Sequence, residues 1–98
     1  MAQIHRMTEN RSKEYIELTM AADGDFLRAK QLAKETAFER CDHPMILSWK
    51  NGKTGEFYPD YECGSNTSPF WIRYAQGRGA NLTIDVNQGD YVFMILKL

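Results

Sequence analysis

A chain of 98 residues with a net charge of −1 suits one compact domain and carries no electrostatic bias toward nucleic acid, an anionic membrane surface or a strongly charged substrate. Hydrophobic residues make up 43% of it and aromatic residues 12%, enough for a single core without metal or disulfide staples. No run approaches the about 20 apolar residues that a membrane-spanning helix requires.

Residues 1–13 are polar and mixed, with Ile4 and Met7 the only sizeable apolar side chains after Met1, and read as a loose arm or an edge strand. Met1 to Arg6 lack the hydrophobic segment of a signal peptide, so a cytoplasmic location is expected, where Cys41 and Cys63 stay reduced. From Glu14 to Ala21 the pattern alternates. Ile16, Leu18 and Met20 point one way and Tyr15, Glu17 and Thr19 the other, the signature of a half-buried strand.

Asp23 or Gly24 then offers an N-cap for a helix running to about Arg40. Phe26, Ala29, Ala33 and Ala37 fall on one stripe, and the small alanines let a helix axis approach a sheet closely. Leu27, Leu32 and Phe38 lie off that stripe by roughly a quarter to a third of a turn, at ~100° per residue, where they broaden the core face or meet a partner. His43-Pro44 closes the helical region, because the residue before proline disfavours helical geometry.

Met45 to Lys50 and Gly55 to Cys63 form the next expected strand pair, around Asn51-Gly52. A two-residue turn would set Leu47 opposite Glu56. A three-residue loop, Asn51-Gly52-Lys53, sets Leu47 opposite Phe57 and Trp49 opposite Gly55, so like faces match and the odd-length loop is favoured. Pro59 donates no ladder hydrogen bond, which makes this strand an edge or breaks it there. Cys63 to Ser68 is a loop. The next segment, Phe70-Trp71-Ile72-Arg73-Tyr74, carries two opposed signals. Ser68-Pro69 resembles a helix start, whereas the aromatic and β-branched run favours a strand, which is the reading preferred.

After the turn Gly77-Arg78-Gly79 comes a hairpin, Leu82 to Val86 and Tyr91 to Leu96, joined by Asn87-Gln88-Gly89-Asp90. Its first strand alternates strictly. Its second is apolar on both faces, with Tyr91, Phe93 and Ile95 on one and Val92, Met94 and Leu96 on the other, so something must cover each face. The expected architecture is a single α+β domain over residues 1–98, with one long helix packed on a curved antiparallel sheet of about five or six strands. The alternative is a ferredoxin-like layout with a second short helix at 69–76.

The candidate chemistry is sparse. Cys63 precedes a glycine-containing loop and His43 is its candidate base, but Cys63 also continues the strand side of Phe57 and Tyr61 and suits a small buried hydrophobe. Asp60 and Glu62 share a strand face, the arrangement of an acid–base pair and, more commonly, of the solvated side of an edge strand. Cys41, His43 and Cys63 lack the paired spacing of a zinc site, so no metal is expected. Gly52-Lys53-Thr54 lacks the earlier glycine of a phosphate-binding loop, Leu47 standing there, and Gly77-Arg78-Gly79 lacks the third glycine of a dinucleotide loop. No cofactor is implied.

Trp49, Trp71, Arg73 and Arg78, with Tyr74 nearby, are the candidate binding residues, since arginine beside aromatic rings takes carboxylates, phosphates or bases. Three readings follow. The first is a cytoplasmic binding or assembly module that self-associates, most simply as a homodimer, through Val92, Met94 and Leu96, with a small-molecule ligand as a further partner. The second is an enzyme using Cys63 or the Asp60/Glu62 pair. The third is single-stranded nucleic-acid binding, which the near-neutral charge disfavours. The reaction, if there is one, is not written in these residues.

Overall fold

A computed structural model describes residues 13–60 and 69–98. The arm at 1–12 and the candidates Glu62 and Cys63 lie outside the described residues. In chain order the elements are β1 (Glu14–Leu18), α1 (Phe26–Phe38), β2 (Met45–Asn51), β3 (Phe57–Tyr58), α2 (Phe70–Gly77), β4 (Leu82–Val86) and β5 (Tyr91–Leu96). The protein is α+β, with two helices and a five-stranded sheet in the order β1-β4-β5-β2-β3.

The sheet is mixed, which corrects the expectation of an antiparallel one. β1 runs parallel to β4, while β4–β5, β5–β2 and β2–β3 are antiparallel. These directions make β1 and β2 co-directional, as the two strands of a unit crossed by a helix must be. The β4–β5 hairpin slots between them, so β1 and β2, consecutive in the chain, are not neighbours in the sheet. β5 thereby becomes the central strand, the position that demands apolar side chains on both faces.

Helix α1 closes one face. Ala29, Ala33 and Ala37 are fully buried against Leu82, Ile84, Val86, Tyr91, Phe93 and Ile95, with Ile16, Leu18, Met20 and Phe26 packed around them. The N-cap is Asp25 rather than Asp23 or Gly24. Its carboxylate accepts a hydrogen bond from the Arg28 backbone N–H at 3.0 Å, satisfying one of the helix's orphan donors.

The segment at 70–77 is a helix, not the strand preferred from its composition, so the described residues hold two helices rather than one. Tertiary packing overrides the local β preference here. Trp71 and Ala75, four apart, fall on one helical face and seal a second core with Leu47 and Met94, flanked by Phe57, Ile72, Val92 and Leu96. The Arg78 N–H closes the helix end on the carbonyls of Tyr74 and Ala75. Val92, Met94 and Leu96 therefore lie beneath a helix of the same chain.

The β2–β3 hairpin also departs from expectation. Trp49 pairs with Tyr58 and Lys50 with Phe57, leaving residues 52–56 as the loop instead of three residues. The cause is a bulge in β2. Ile46 faces Ile95 and Ser48 faces Met94, with Leu47 extra between them. Leu47 does share a face with Phe57, but the extra residue throws Trp49 onto the α1 side, packed beside Ile46. β3 is the edge strand and stops before Pro59, as a residue without an N–H requires.

The terminal hairpin forms with the expected ends. Its turn holds Asn87, Gln88 and Gly89 at φ of 56°, 54° and 97°. Asp85 steadies it by accepting the Gly89 N–H at 2.6 Å, and the Asn87 side chain accepts the Met20 N–H at 2.7 Å, tying the end of β1 to the turn. Gly52 donates its N–H to the Asp90 carbonyl at 2.7 Å, and a Cβ there would sit 2.2 Å from the Gly89 carbonyl oxygen. Only glycine fits. Among the described residues, no helix is long and apolar enough to cross a membrane.

Candidate functional site

Helix α2 presents one face to the core and another to solvent, and the split decides which candidate residues meet. Residues two apart share a side on a strand but diverge by about 200° on a helix. Trp71 accordingly turns inward, 6% exposed, while Arg73 turns away from it. On the outward face Phe70, Arg73 and Tyr74 come together at steps of three and four.

The Arg73 guanidinium lies 5.5 Å from the Phe70 ring centroid, and the Arg78 guanidinium 4.4 Å from that of Tyr74. The two rings are 5.9 Å apart, making a continuous aromatic–cation surface. A shallow groove of about 350 Å³ runs along it, lined by Phe70, Arg73, Tyr74, Gly77 and Arg78. Gly77 leaves the gap, since no atom lies within 4 Å of where its Cβ would stand. Between Pro69 and Ala80 the chain holds two arginines and no acid. The charge of Arg78 also complements the carbonyl end of α2, so part of its role is structural.

The four candidate binding residues are thus divided. Arg73 and Arg78 share the outward face of α2. Trp71 is core. Trp49 is on the opposite side of the sheet, its ring 4.5 Å from Phe26 and stacked on Tyr58 at 6.2 Å. Tyr74, noted from the sequence beside the arginines, joins this surface, and Phe70 is the residue on it that the sequence reading missed. The signal that would have found it was the spacing of Phe70, Arg73 and Tyr74 read at helical rather than strand period.

Three further titratable groups, Tyr15, Asp85 and Glu14, are engaged in structure. The Tyr15 hydroxyl donates to Asp85 at 2.5 Å. This hydrogen bond to a carboxylate, helped by burial and by the charge of Asp85, pushes the phenol up to about 12. Asp85 has one oxygen on Tyr15 and the other on Gly89, so both are committed to holding β1 and the turn. Glu14 takes the Lys97 ammonium at 2.6 Å and lies 3.8 Å from Arg40. The Lys97 hydrogen bond, with the charges of Lys97 and Arg40, holds its carboxyl below the ordinary range.

Of the enzyme candidates, Asp60 is exposed, and His43 is exposed with its backbone N–H on the Leu98 carbonyl at 3.3 Å. The Cys41 thiol faces the Ala37 carbonyl at 3.7 Å. Among the described residues, no three His, Cys, Asp or Glu side chains gather as metal ligands. Ser48 is fully buried under α2, and its hydroxyl finds no hydrogen-bond partner among the described residues.

Known proteins match most of this chain. Residues 13–95 fit the family model described as a domain of unknown function, DUF5619. An uncharacterised protein of Archaeoglobus fulgidus is 36% identical over 81 residues, which is 82% of this chain and 85% of the relative. The crystal structure of AF1514 from that organism superposes with a TM-score of 0.75 at 30% identity, covering 88% of this chain and 95% of that one. A similar fold thus recurs in a solved structure, and with the family model matched over residues 13–95, this chain belongs to the DUF5619 family.

Proposed function

We propose that this protein is a binding module whose working surface is the outward face of α2, and that it takes a carboxylate-bearing segment of a protein partner. The observation that carries this reading is the Arg78 guanidinium lying 4.4 Å over the Tyr74 ring, with Arg73 repeating the arrangement on Phe70. An arginine beside an aromatic ring can also pair its guanidinium fork with a carboxylate, and Arg78 is the cation this reading rests on. Phe, Tyr and Arg are also the residues enriched where protein interfaces concentrate their energy. The groove is shallow, which suits an extended peptide better than an enclosed small molecule.

An NMR titration with a short glutamate-rich peptide tests this. The amides of Phe70 to Arg78 should shift, Arg78→Gln should weaken binding by about tenfold, and a lysine-rich peptide should leave the spectrum unchanged. Shifts that avoid α2 altogether would overturn the reading.

A second reading, self-association in a cytoplasmic setting, rests on Leu27 and Phe38 of α1, singled out from the sequence as residues that could meet a partner, and no longer on Val92, Met94 and Leu96. Leu27 and Phe38 on α1 are 71% and 57% exposed. Phe38 stands at the same end of the fold as Met45 and Leu98, which are 49% and 59% exposed. A homodimer that covers this end would be dissociated, without unfolding, by Phe38→Lys. Native mass spectrometry at micromolar concentration reads the outcome, and a monomer in the unaltered protein contradicts it.

A further inference from the structure

We propose that a second concavity, on the α2 side of the sheet where the helix ends, is a site for a small monocarboxylate with a short apolar body. α2 packs over β2 and β5, and the chain then turns away through Gly79 and Ala80. Beside that turn a cleft of about 520 Å³ opens over the first residues of β4 and β1. The size lies within the range of about 300–1,000 Å³ usual for small-molecule sites.

Its floor is apolar at Met94, with Ala80 on the wall. Gly79, at φ +92°, holds that wall back, in a backbone conformation that side chains rarely adopt. Three polar side chains, Lys13, Gln76 and Thr83, line the cleft and make no hydrogen bond or ion pair among the described residues. The other polar side chains lining it are already used. Glu14 is held by Lys97 and Arg40, and the Asn81 side-chain Oδ1 accepts the Lys97 backbone N–H at 2.8 Å. Among the described residues, Lys13 is therefore the one cation lining the cleft, and no side chain there pairs its charge. A single negative charge balances it, and the neighbouring Glu14 carboxylate opposes a doubly charged phosphate ester. Thr83 and Gln76 supply hydrogen bonds to the carboxylate, and Met94 and Ala80 receive the hydrocarbon.

The full chain titrated with hexanoate, 1-hexanol and hexylamine tests this by NMR. Hexanoate should shift the Gln76, Ala80 and Thr83 amides and the Met94 methyl saturably. It should bind about fivefold more tightly than hexanol, as one charge-assisted contact predicts, with hexylamine weakest. Lys13→Gln, at an exposed position, should equalise hexanoate and hexanol while leaving the thermal midpoint unchanged, and Thr83→Ile should block both. The proposal is overturned by the absence of saturable shifts in the cleft, by equal affinity for hexanoate and hexanol in the unaltered protein, or by a preference that survives Lys13→Gln. Shifts confined to Phe70, Arg73 and Arg78 would also overturn it while leaving the outward face of α2 as a binding surface.

Discussion

Helix α1 and helix α2 cover opposite faces of the same central strand, and they do so by different means. α1 has 13 residues and meets the sheet through three alanines, each fully buried, so backbone approaches backbone over a core of Leu82, Ile84, Val86, Phe93 and Ile95. α2 has eight residues and meets the sheet through one large ring, Trp71, over a bulged strand, an unpartnered serine and a methionine. Uniform small-residue packing makes a rigid platform. The α2 side keeps an aromatic–arginine surface and, among the described residues, an unsatisfied buried hydroxyl, which are departures from an ideal core. Such departures gather where a protein binds something.

The sharpest way to break the comparison is to open each core in turn. Phe93→Ala, on the α1 side, should cost about 4 kcal/mol in urea unfolding, since a fully buried ring leaves a cavity that a close-packed face collapses around poorly. Met94→Ala, at the margin of the cleft, should cost about 2 kcal/mol. Equal costs would deny that the two faces differ.

Gly52→Ala comes next. Its Cβ would meet the Gly89 carbonyl oxygen at 2.2 Å, backbone against backbone, so the two loops must part at about 2 kcal/mol, again read from urea unfolding. Ser48→Ala should act in the opposite direction and stabilise by about 1 kcal/mol, because it removes a buried hydroxyl with no partner. A loss of stability would show that this hydroxyl is bonded.

The smallest effects concern pH. The Glu14 carboxyl is lowered in the folded state, so its contribution is present above the unfolded carboxylate value and is lost as pH falls through the folded value. Glu14→Gln should flatten the acid limb of a stability profile. The Tyr15 phenol is raised from 10.0 to about 12, so its contribution is full below the unfolded value and is lost as pH rises through that interval. Tyr15→Phe should flatten the alkaline limb alone.

Local signals were legible and non-local ones were not. The ends of β4 and β5 and the alanine stripe of α1 follow from alternation and four-residue spacing, which neighbouring residues decide. The parallel pairing of β1 with β4 depends on a hairpin inserted from the far end of the chain, and no pattern within Glu14–Leu18 records it. The bulge at Leu47 hid in a strand that looks regular, and it inverted the face of Trp49. The helix at 70–77 lost to its own aromatic content, because what stabilises it is the fit of Trp71 and Ala75 onto Leu47 and Met94. The site shares that history. Arg73 and Arg78 stood out as cations beside rings, but the rings they use, Phe70 and Tyr74, depend on the helix. The double apolarity of β5 was read correctly as a demand for cover on both faces, and α2 meets that demand from within the chain.

The account therefore turns on α2 lying over its own chain's Met94. Isotope-filtered NOE spectroscopy on a mixture of labelled and unlabelled protein tests this most directly. Contacts between the Trp71 ring and the Met94 methyl should appear within labelled chains and be absent between labelled and unlabelled ones. Contacts found only between chains, or no contact at all, would contradict it.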